Sequence, residues 1–295
     1  MKIASKHARS TSNASSLKSL STLALAVIGA LYGASPAWAT PILGADLASF
    51  AVLGATGVTN VPVSIIGGNL GSAPNASVGG GYIFTAGSLQ PNTLLAQHAQ
   101  VELDAAILAV NAFGPGTTIG ADLTGTIFPG VYTVPAAGTN LSGALILDGN
   151  GSNSAVWAFL FPSTLITSTI STVSMINVGD GAKVGLYWSV GTGATLNGST
   201  FAGNVLANTI ESSDGNLTIG CGRLLSAEAQ VTLHQDNISI GCVGTGFGSG
   251  GFDQGVAIGS GGTGGSNGQT VPEPATLALL GLGLAGLGFS RRRYG

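Results

Sequence analysis

Few side chains in the middle of this chain could take part in acid–base chemistry. Beyond residue 39 the only histidines are His98 and His234. His234 lies two residues before Asp236, and an exported hydrolase could use this pair in a Ser-His-Asp triad. However, no motif identifies a nucleophile. His98 lies four residues before Glu102, and on a helix this spacing indicates a surface ion pair. We therefore predict no catalytic residue and no enzyme activity.

The two cysteines, Cys221 and Cys242, end two copies of a similar six-residue string. Residues 216–221 (NLTIGC) return as residues 237–242 (NISIGC). Two thiols without nearby histidines are too few ligands for a metal, so we predict no metal and no cofactor. Neighbouring β-strands lie about 4.8 Å apart, which is within the Cα distance that a disulfide spans. We predict a Cys221–Cys242 disulfide, with two buried thiols as the alternative.

Charged residues are scarce, and their distribution excludes two classes of protein. Asp, Glu, Lys and Arg make up 7% of the 295 residues, against about 25% in an average soluble domain. Between residues 40 and 270 there are eleven acids and only two cations, Lys183 and Arg223, which gives a net charge of 2 − 11 = −9. Nucleic-acid binding needs several cations, and helical bundles need charged outer faces. The 49 glycines instead favour turn-rich β structure.

The N-terminus has the pattern of a secretory signal peptide over residues 1–39. Four cations (Lys2, Lys6, Arg9 and Lys18) accompany an apolar stretch over residues 20–31. The sequence Ala37-Trp38-Ala39 then provides a small-x-small cleavage site. We expect the mature protein to begin at Thr40 and to enter an oxidising compartment.

The C-terminus resembles the PEP-CTERM sorting signal of Gram-negative bacteria over residues 271–295. Val-Pro-Glu-Pro at 271–274 precedes an apolar run over 275–289 and three arginines at 291–293. The resemblance implies an exosortase-type protease as partner and delivery to the outer surface or an extracellular polysaccharide matrix. Membrane contact is expected only through this segment, as a transient anchor at 275–289. Residues 244–270 have the composition of a Gly/Ser-rich linker, which leaves residues 40–243 as one folded domain.

A second recurring pattern predicts a β-solenoid. Glycine, two apolar residues and a small residue recur at 185–189, 203–207 and 222–226, at spacings of 18 and 19 residues. Short strands at this period are typical of stacked coils, and they fit a β-sandwich less well. Alternation along the strands places Trp188, Leu206 and Leu225 on the outward side.

One amphipathic helix interrupts the β pattern over about residues 93–113. Thr93 is a suitable N-cap, and Gly114-Pro115 ends the helix. Gln97, Gln100, Asp104 and Asn111 form a polar stripe, while another side carries Leu94, Val101, Ala105 and Leu108. We expect the helix to lie along the solenoid and to pack on the row of Trp188, Leu206 and Leu225.

Several further segments resemble the ice-binding protein family of bacteria and fungi. They span much of the domain: residues 48–53 (ASFAVL), 67–71 (GGNLG), 129–132 (PGVY), 143–149 (GALILDG), 155–159 (AVWAF), 185–191 (GLYWSVG) and 222–226 (GRLLS). The resemblance implies a mostly β fold, an irregular right-handed parallel β-helix with one long α-helix alongside. It also implies adsorption to ice or ordered water through a flat face, without turnover.

The family has no fixed ice-binding motif, so the site residues are predicted from the repeat. Thr218 and Ser239 are expected to form a ladder flanked by Asn216 and Asn237, and Thr200 extends it. Thr195 and Thr232 are further candidates elsewhere on the solenoid. The alternative function is a surface or matrix adhesion protein that uses the same solenoid to bind polysaccharide.

Overall fold

The computed structural model describes residues 41–181, 183–211, 215–242 and 251–253. These residues belong to one compact unit, Ala39–Thr270. The predicted signal peptide (1–39), most of the predicted linker (244–270) and the predicted sorting segment (271–295) lie outside the described residues.

The described residues form two helices and eighteen strands. The helices are α1 (Ala45–Ala48) and α2 (Leu94–Asn111). The strands before α2 are β1 (Phe50–Gly54), β2 (Gly57–Val61), β3 (Ser64–Gly67), β4 (Asn69–Ser72), β5 (Tyr82–Ala86) and β6 (Leu89–Pro91). The first strands after α2 are β7 (Thr117–Thr118), β8 (Gly125–Ile127), β9 (Gly130–Thr133), β10 (Ala144–Asp148), β11 (Val156–Phe161) and β12 (Leu165–Ile166). The last strands are β13 (Thr172–Ile176), β14 (Gly185–Thr195), β15 (Thr200–Glu211), β16 (Thr218–Ser226), β17 (Gln230–His234) and β18 (Asn237–Ser239).

The strands stack in parallel as the coils of a solenoid with three faces. The helix face has the order β6-β4-β1-β16-β15-β14-β11-β9-β7. The open face has the order β5-β3-β18-β16-β15-β13-β10-β8. The narrow face has the order β2-β17-β15-β14-β12. The long strands β14, β15 and β16 turn corners and therefore contribute to two or three faces.

The coils do not follow one another in chain order. On the helix face β1 lies between β16 and β4, so the N-terminal strands extend the stack beyond the C-terminal coil. Helix α2 then takes the chain from β6 at one end to β7 at the other. Its 18 residues span about 27 Å, which explains why one long helix runs beside several coils. The predicted solenoid with a single long helix is confirmed.

The interior of the solenoid is apolar and contains a column of stacked aromatic rings. The Tyr132 ring centroid lies 5.6 Å from that of Phe159, which lies 4.5 Å from that of Trp188. Phe201 follows at 4.9 Å from Trp188. Because each ring belongs to a different coil, the column fixes the coils relative to one another.

A second apolar cluster lies between α2 and the helix face. The helix contributes small residues and a few larger ones: Ala96, Ala99, Leu103, Ala106 and Val110. The helix face contributes Phe50, Leu53, Tyr187, Leu206 and Leu225. Thr93 caps α2 as predicted, because its hydroxyl oxygen accepts a hydrogen bond from the Ala96 backbone N–H at 3.3 Å.

Two details of the predicted helix packing are wrong. Trp188 points into the interior, since it pairs with Val205 while Ser189 pairs with Leu206. The sequence pattern had aligned Trp188 with Leu206, and a one-residue slip of register moves a side chain to the other face. Leu206 and Leu225 do face the helix. On α2, Leu94, Val101 and Leu108 point to solvent and are 71%, 70% and 71% exposed.

A short segment of the predicted linker is part of the fold. Gly251–Asp253 pack against the solenoid, and the Phe252 side chain enters the interior core with 2% exposure. The Leu186 backbone N–H donates to the Phe252 carbonyl at 3.1 Å. The Tyr187 hydroxyl donates to the Asp253 carbonyl at 2.6 Å. The expected domain boundary at 243 is therefore too early.

The buried Arg223 holds this segment in place. Its guanidinium donates to the Ala48 carbonyl at 2.6 Å, to the Asn204 side-chain oxygen at 2.8 Å and to the Gly251 carbonyl at 3.1 Å. The Asp253 carboxylate lies 3.4 Å away. Burial lowers the pKa of Arg223, and the Asp253 charge raises it. One of the few cations of the domain thus serves the fold.

Candidate functional site

The open face presents an outward row of side chains from one end of the solenoid to the other. The row follows consecutive strand pairs through Ile83, Ile65, Asn237, Thr218, Thr200, Thr172 and Ala144. Each side chain is exposed or half-buried. The neighbouring inward positions, among them Ile66, Ile219 and Phe201, are buried in the core. The outward row is therefore attached to a packed interior.

A second outward row lies two residues further along the same strands. It includes Ser239, which pairs with Gly67, and Ser174, which pairs with Ile146. Ile146 in turn pairs with Thr126 on the last strand of the face. Strand spacing and side-chain alternation arrange the two rows as a grid of about 4.8 by 6.7 Å.

The open face is almost free of charge. The residues that its strands contribute include one acid, Asp148, at the end of β10. The Asp148 carboxylate accepts hydrogen bonds from the Asn150 backbone N–H at 2.8 Å and from the Asn177 side chain at 3.0 Å. The other groups facing solvent are hydroxyls, amides, glycines and aliphatic side chains, among them Ile65, Ile83 and Ile176. Such a neutral, rigid grid can hold water in a fixed pattern without orienting it strongly around ions.

Thr218, Thr200 and Asn237 lie together in the first row, and Ser239 lies in the second. The expected Thr218–Ser239 rung is wrong, because Thr218 pairs with Asn237. The two similar strings are 21 residues apart, whereas adjacent coils here are 19 apart. The backbone shows the same offset: Asn216 and Gln235 both have a positive φ, of 58° and 56°. Asn216 therefore belongs to the turn before β16 rather than to a flank of the row.

Thr195 and Thr232 lie on the narrow face, away from the other candidates. The order in register is Ile166, Thr195, Glu211, Thr232 and Thr59. The hydroxyl oxygens of Thr59 and Thr232 are 3.3 Å apart. An acid at the register position between Thr195 and Thr232 interrupts this ladder.

The sequence prediction missed Thr172, Ala144, Ile65 and Ile83. Alternation within residues 172–176 (TVSMI) and 144–148 (ALILD) is a signal for outward positions. These segments carry none of the strings used to align the coils, so nothing in the sequence connected them to Thr218.

The histidines and nearby acids have structural contacts. The His98 Nδ1 atom lies 3.3 Å from a carboxylate oxygen of Asp46, which replaces the predicted His98–Glu102 pair. Glu102 accepts a hydrogen bond from the Leu47 backbone N–H at 2.7 Å, in the first turn of α1. The Asp236 carboxylate accepts the backbone N–H groups of Leu217 and His234, each at 3.0 Å. These contacts stabilise turns and helix ends.

The described residues contain no group of three or more His, Cys, Asp or Glu side chains that could hold a metal ion. Cys221 and Cys242 are joined in a disulfide with a Cα–Cα distance of 4.4 Å. The bond ties the end of the C-terminal coil to β16. No helix among the described residues combines the length and the hydropathy that a membrane span requires.

Comparison with known proteins gives two family matches. Residues 52–239 match the model of the Ice-binding-like family. Residues 270–293, outside the described part of the chain, match the PEP-CTERM protein-sorting motif.

Similar proteins and structures extend this result. An ice-binding protein from Nostoc sp. (strain HG1) is 33% identical over 256 residues, which is 83% of this chain and 84% of that protein. The crystal structure of an ice-binding protein from the Antarctic ascomycete Antarctomyces psychrotrophicus is similar with 30% identity and a TM-score of 0.57, over 68% of this chain and 98% of that one. The crystal structure of an ice-binding protein from an Antarctic biological consortium has 27% identity and a TM-score of 0.59, over 70% and 93%.

Proposed function

Since the chain belongs to the ice-binding-like family, we propose that the protein binds ice and that the open face is its ice-binding surface. The observation that carries the assignment of the face is the continuous outward row from Ile83 to Ala144. The protein acts by adsorption, without turnover and without a cofactor.

The other two faces are less suitable for a large flat ligand. Helix α2 covers the helix face and removes Leu53, Leu206 and Leu225 from solvent. The narrow face has strands that contribute only two or three residues in places, and its threonine positions are not all consecutive in register. The open face alone combines length, neutrality and a packed underside.

The open face is rigid and almost neutral, and both properties favour binding to ice over contact with liquid water. The inner rows are buried, and each strand between the end strands β5 and β8 pairs with a neighbour on both sides, so the outward groups keep fixed positions. Hydroxyl groups can donate hydrogen bonds to water and accept them from it. The methyl groups between the hydroxyls form no hydrogen bonds and leave room for ordered water molecules. A charged side chain would hold its own hydration shell and disturb this order.

The test is a pair of matched tyrosine substitutions in the compact unit Ala39–Thr270. Thr218 lies in the middle of the open face and Thr232 on the narrow face, and both threonines are half-buried. We expect Thr218→Tyr to abolish thermal hysteresis and recrystallisation inhibition, because the large ring lifts the face away from ice. Thr232→Tyr should keep both activities.

Circular dichroism melting of both variants controls for folding. Equal loss of activity in the two variants, or loss only in Thr232→Tyr, would contradict the assignment of the open face.

We also propose that the sorting motif places the protein on the outer surface or in the surrounding matrix, after transient anchoring through residues 275–289. The match to the motif and the three arginines at 291–293 support this proposal. Deletion of residues 272–274 should leave the protein in the membrane fraction of a host that carries an exosortase, whereas the intact chain should reach the surface. Identical fractionation of the two chains would count against processing at this motif.

A further inference from the structure

The end of the solenoid near β8 and β9 contains a cavity that ice adsorption does not use. Its volume is about 300 Å³, at the lower limit of small-molecule sites. It is lined by residues of β8, of β9 and of the segments that precede them, at the end of the stack that β7 and β8 form. Five side chains with complementary chemistry line it: Asp122, Thr124, Thr126, Phe128 and Tyr132.

One wall of the cavity is aromatic and held rigidly. Tyr132 is the last ring of the interior column, stacked on Phe159 with an interplanar angle of 24°. Its hydroxyl donates to the Phe128 carbonyl at 2.8 Å, which fixes the two residues relative to each other. The Phe128 ring is 50% exposed at the mouth of the cavity. A ligand with an apolar ring face would cover this exposed surface.

Other lining residues of the cavity supply hydrogen-bond acceptors. The Asp122 carboxylate is positioned by Ser142, whose backbone N–H and hydroxyl donate to its two oxygens at 2.9 and 2.5 Å. A carboxylate has about four acceptor sites, so both oxygens can also accept from a ligand. Thr124 and Thr126 add exposed hydroxyls. No cation occurs among the lining residues, so Asp122 is the one charged side chain that the cavity presents to a ligand.

We propose that this cavity binds a neutral pyranose, such as a terminal or side-branch sugar of a polysaccharide. A pyranose has an apolar C–H face that packs on aromatic rings and a rim of hydroxyls that donate to a carboxylate. A uronic acid or a phosphorylated sugar is excluded by repulsion from Asp122. The site thus gives the sugar-binding alternative a definite location, separate from the two rows of the open face except at Thr126.

Saturation-transfer NMR with soluble methyl glycosides tests the proposal. The probes are methyl β-D-glucopyranoside, methyl β-D-galactopyranoside and methyl β-D-glucuronide, added to the compact unit Ala39–Thr270. At least one neutral probe should receive saturation on its ring C–H protons, and the glucuronide should receive none. Phe128→Ala should weaken binding about fivefold through loss of the aromatic contact. Val101→Ala, on the solvent side of α2 and 70% exposed, is the matched control and should bind the sugar as the unsubstituted protein does.

A variant that gains binding distinguishes the loss of a contact from misfolding, because a misfolded protein would not bind a new ligand. Asp122→Asn removes the negative charge and should admit the glucuronide while keeping thermal hysteresis. Failure of both neutral probes to bind, or binding that Phe128→Ala leaves unchanged, would overturn the proposal. Because thermal hysteresis is measured on the same samples, a failed sugar site and a failed ice-binding face give different results.

Discussion

At the scale of single residues, the low charge of the domain has a clear consequence for its surface. Arg223 is buried against Asp253, Asp236 holds a turn and Glu102 caps α1. Charges that the fold uses in this way are not available to the open face. Among the described residues that the strands contribute to the open face, Asp148 is the one charged side chain, so the row around Thr218 is almost neutral.

The disulfide is also a residue-scale feature with a measurable effect. It closes a loop of 21 residues, for which loop closure stabilises the folded state by about 3 kcal/mol. In the double variant Cys221→Ala, Cys242→Ala the free energy of unfolding should be lower by this amount, so the variant should unfold at a lower denaturant concentration. Its stability should not change with reductant, whereas the unchanged protein should fall to the level of the variant. If the stability of the unsubstituted protein were the same with and without reductant, the prediction would be contradicted.

At the scale of elements, α2 shows why hydropathy alone misplaced a helix face. Its largest exposed apolar residues are Leu94, Val101 and Leu108. Its contact face instead contains Ala96, Ala99 and Ala106, because small side chains allow the helix axis to approach the sheet closely. A search for large apolar residues selects the wrong stripe, even though the limits and the cap of the helix were predicted well.

The contact between α2 and the sheet can be tested with two aspartate substitutions. Leu206→Asp places a charge in the buried interface and should destabilise the domain by at least about 3 kcal/mol. Val101→Asp, on the solvent side of α2, should change the stability by less than about 0.5 kcal/mol. Chemical denaturation followed by circular dichroism gives both values. A large effect of Val101→Asp together with a small effect of Leu206→Asp would show that the helix packs by its other face.

The strands show a similar division between what the sequence predicts and what it leaves open. Spacings of 18 and 19 residues predicted stacked coils, and the Thr200–Thr218 and Thr218–Asn237 pairs have these spacings. The string that ends in Cys221 and Cys242 suggested 21 and placed Ser239 beside Thr218. Two segments can be similar because turns and strands prefer the same residue types. Their register in the sheet depends instead on the number of residues in each corner of the coil.

At the scale of the whole molecule, the order of the coils could not be derived from the sequence. Strand β1 pairs with both β16 and β4, so the two termini of the domain meet in the middle of the stack. The open-face row consequently joins Ile65 and Ile83 from the first part of the chain to Thr218 and Thr200 from the last. The local sequence pattern predicts a coil but not which other coil lies beside it, which is why four of the seven residues of this row were missed.

The same architecture separates the three surfaces of the molecule. Helix α2 covers one face and the cavity occupies one end, while among the described residues the outward rows of the open face are exposed or half-buried. The described fold ends at Asp253, which bridges to Gly185 at the start of β14. The last described residue therefore lies beside the start of β14 and not in the open-face rows.

The most direct measurement of the central claim is partition between ice and solution. A polycrystalline ice sphere is grown slowly in a solution of the fluorescently labelled compact unit Ala39–Thr270, with Thr218→Tyr in a parallel sample. The unchanged protein should be incorporated into the ice, and Thr218→Tyr should be left in the liquid as a non-binding protein is. Exclusion of the unchanged protein from the ice, or equal incorporation of both proteins, would contradict ice binding through the open face.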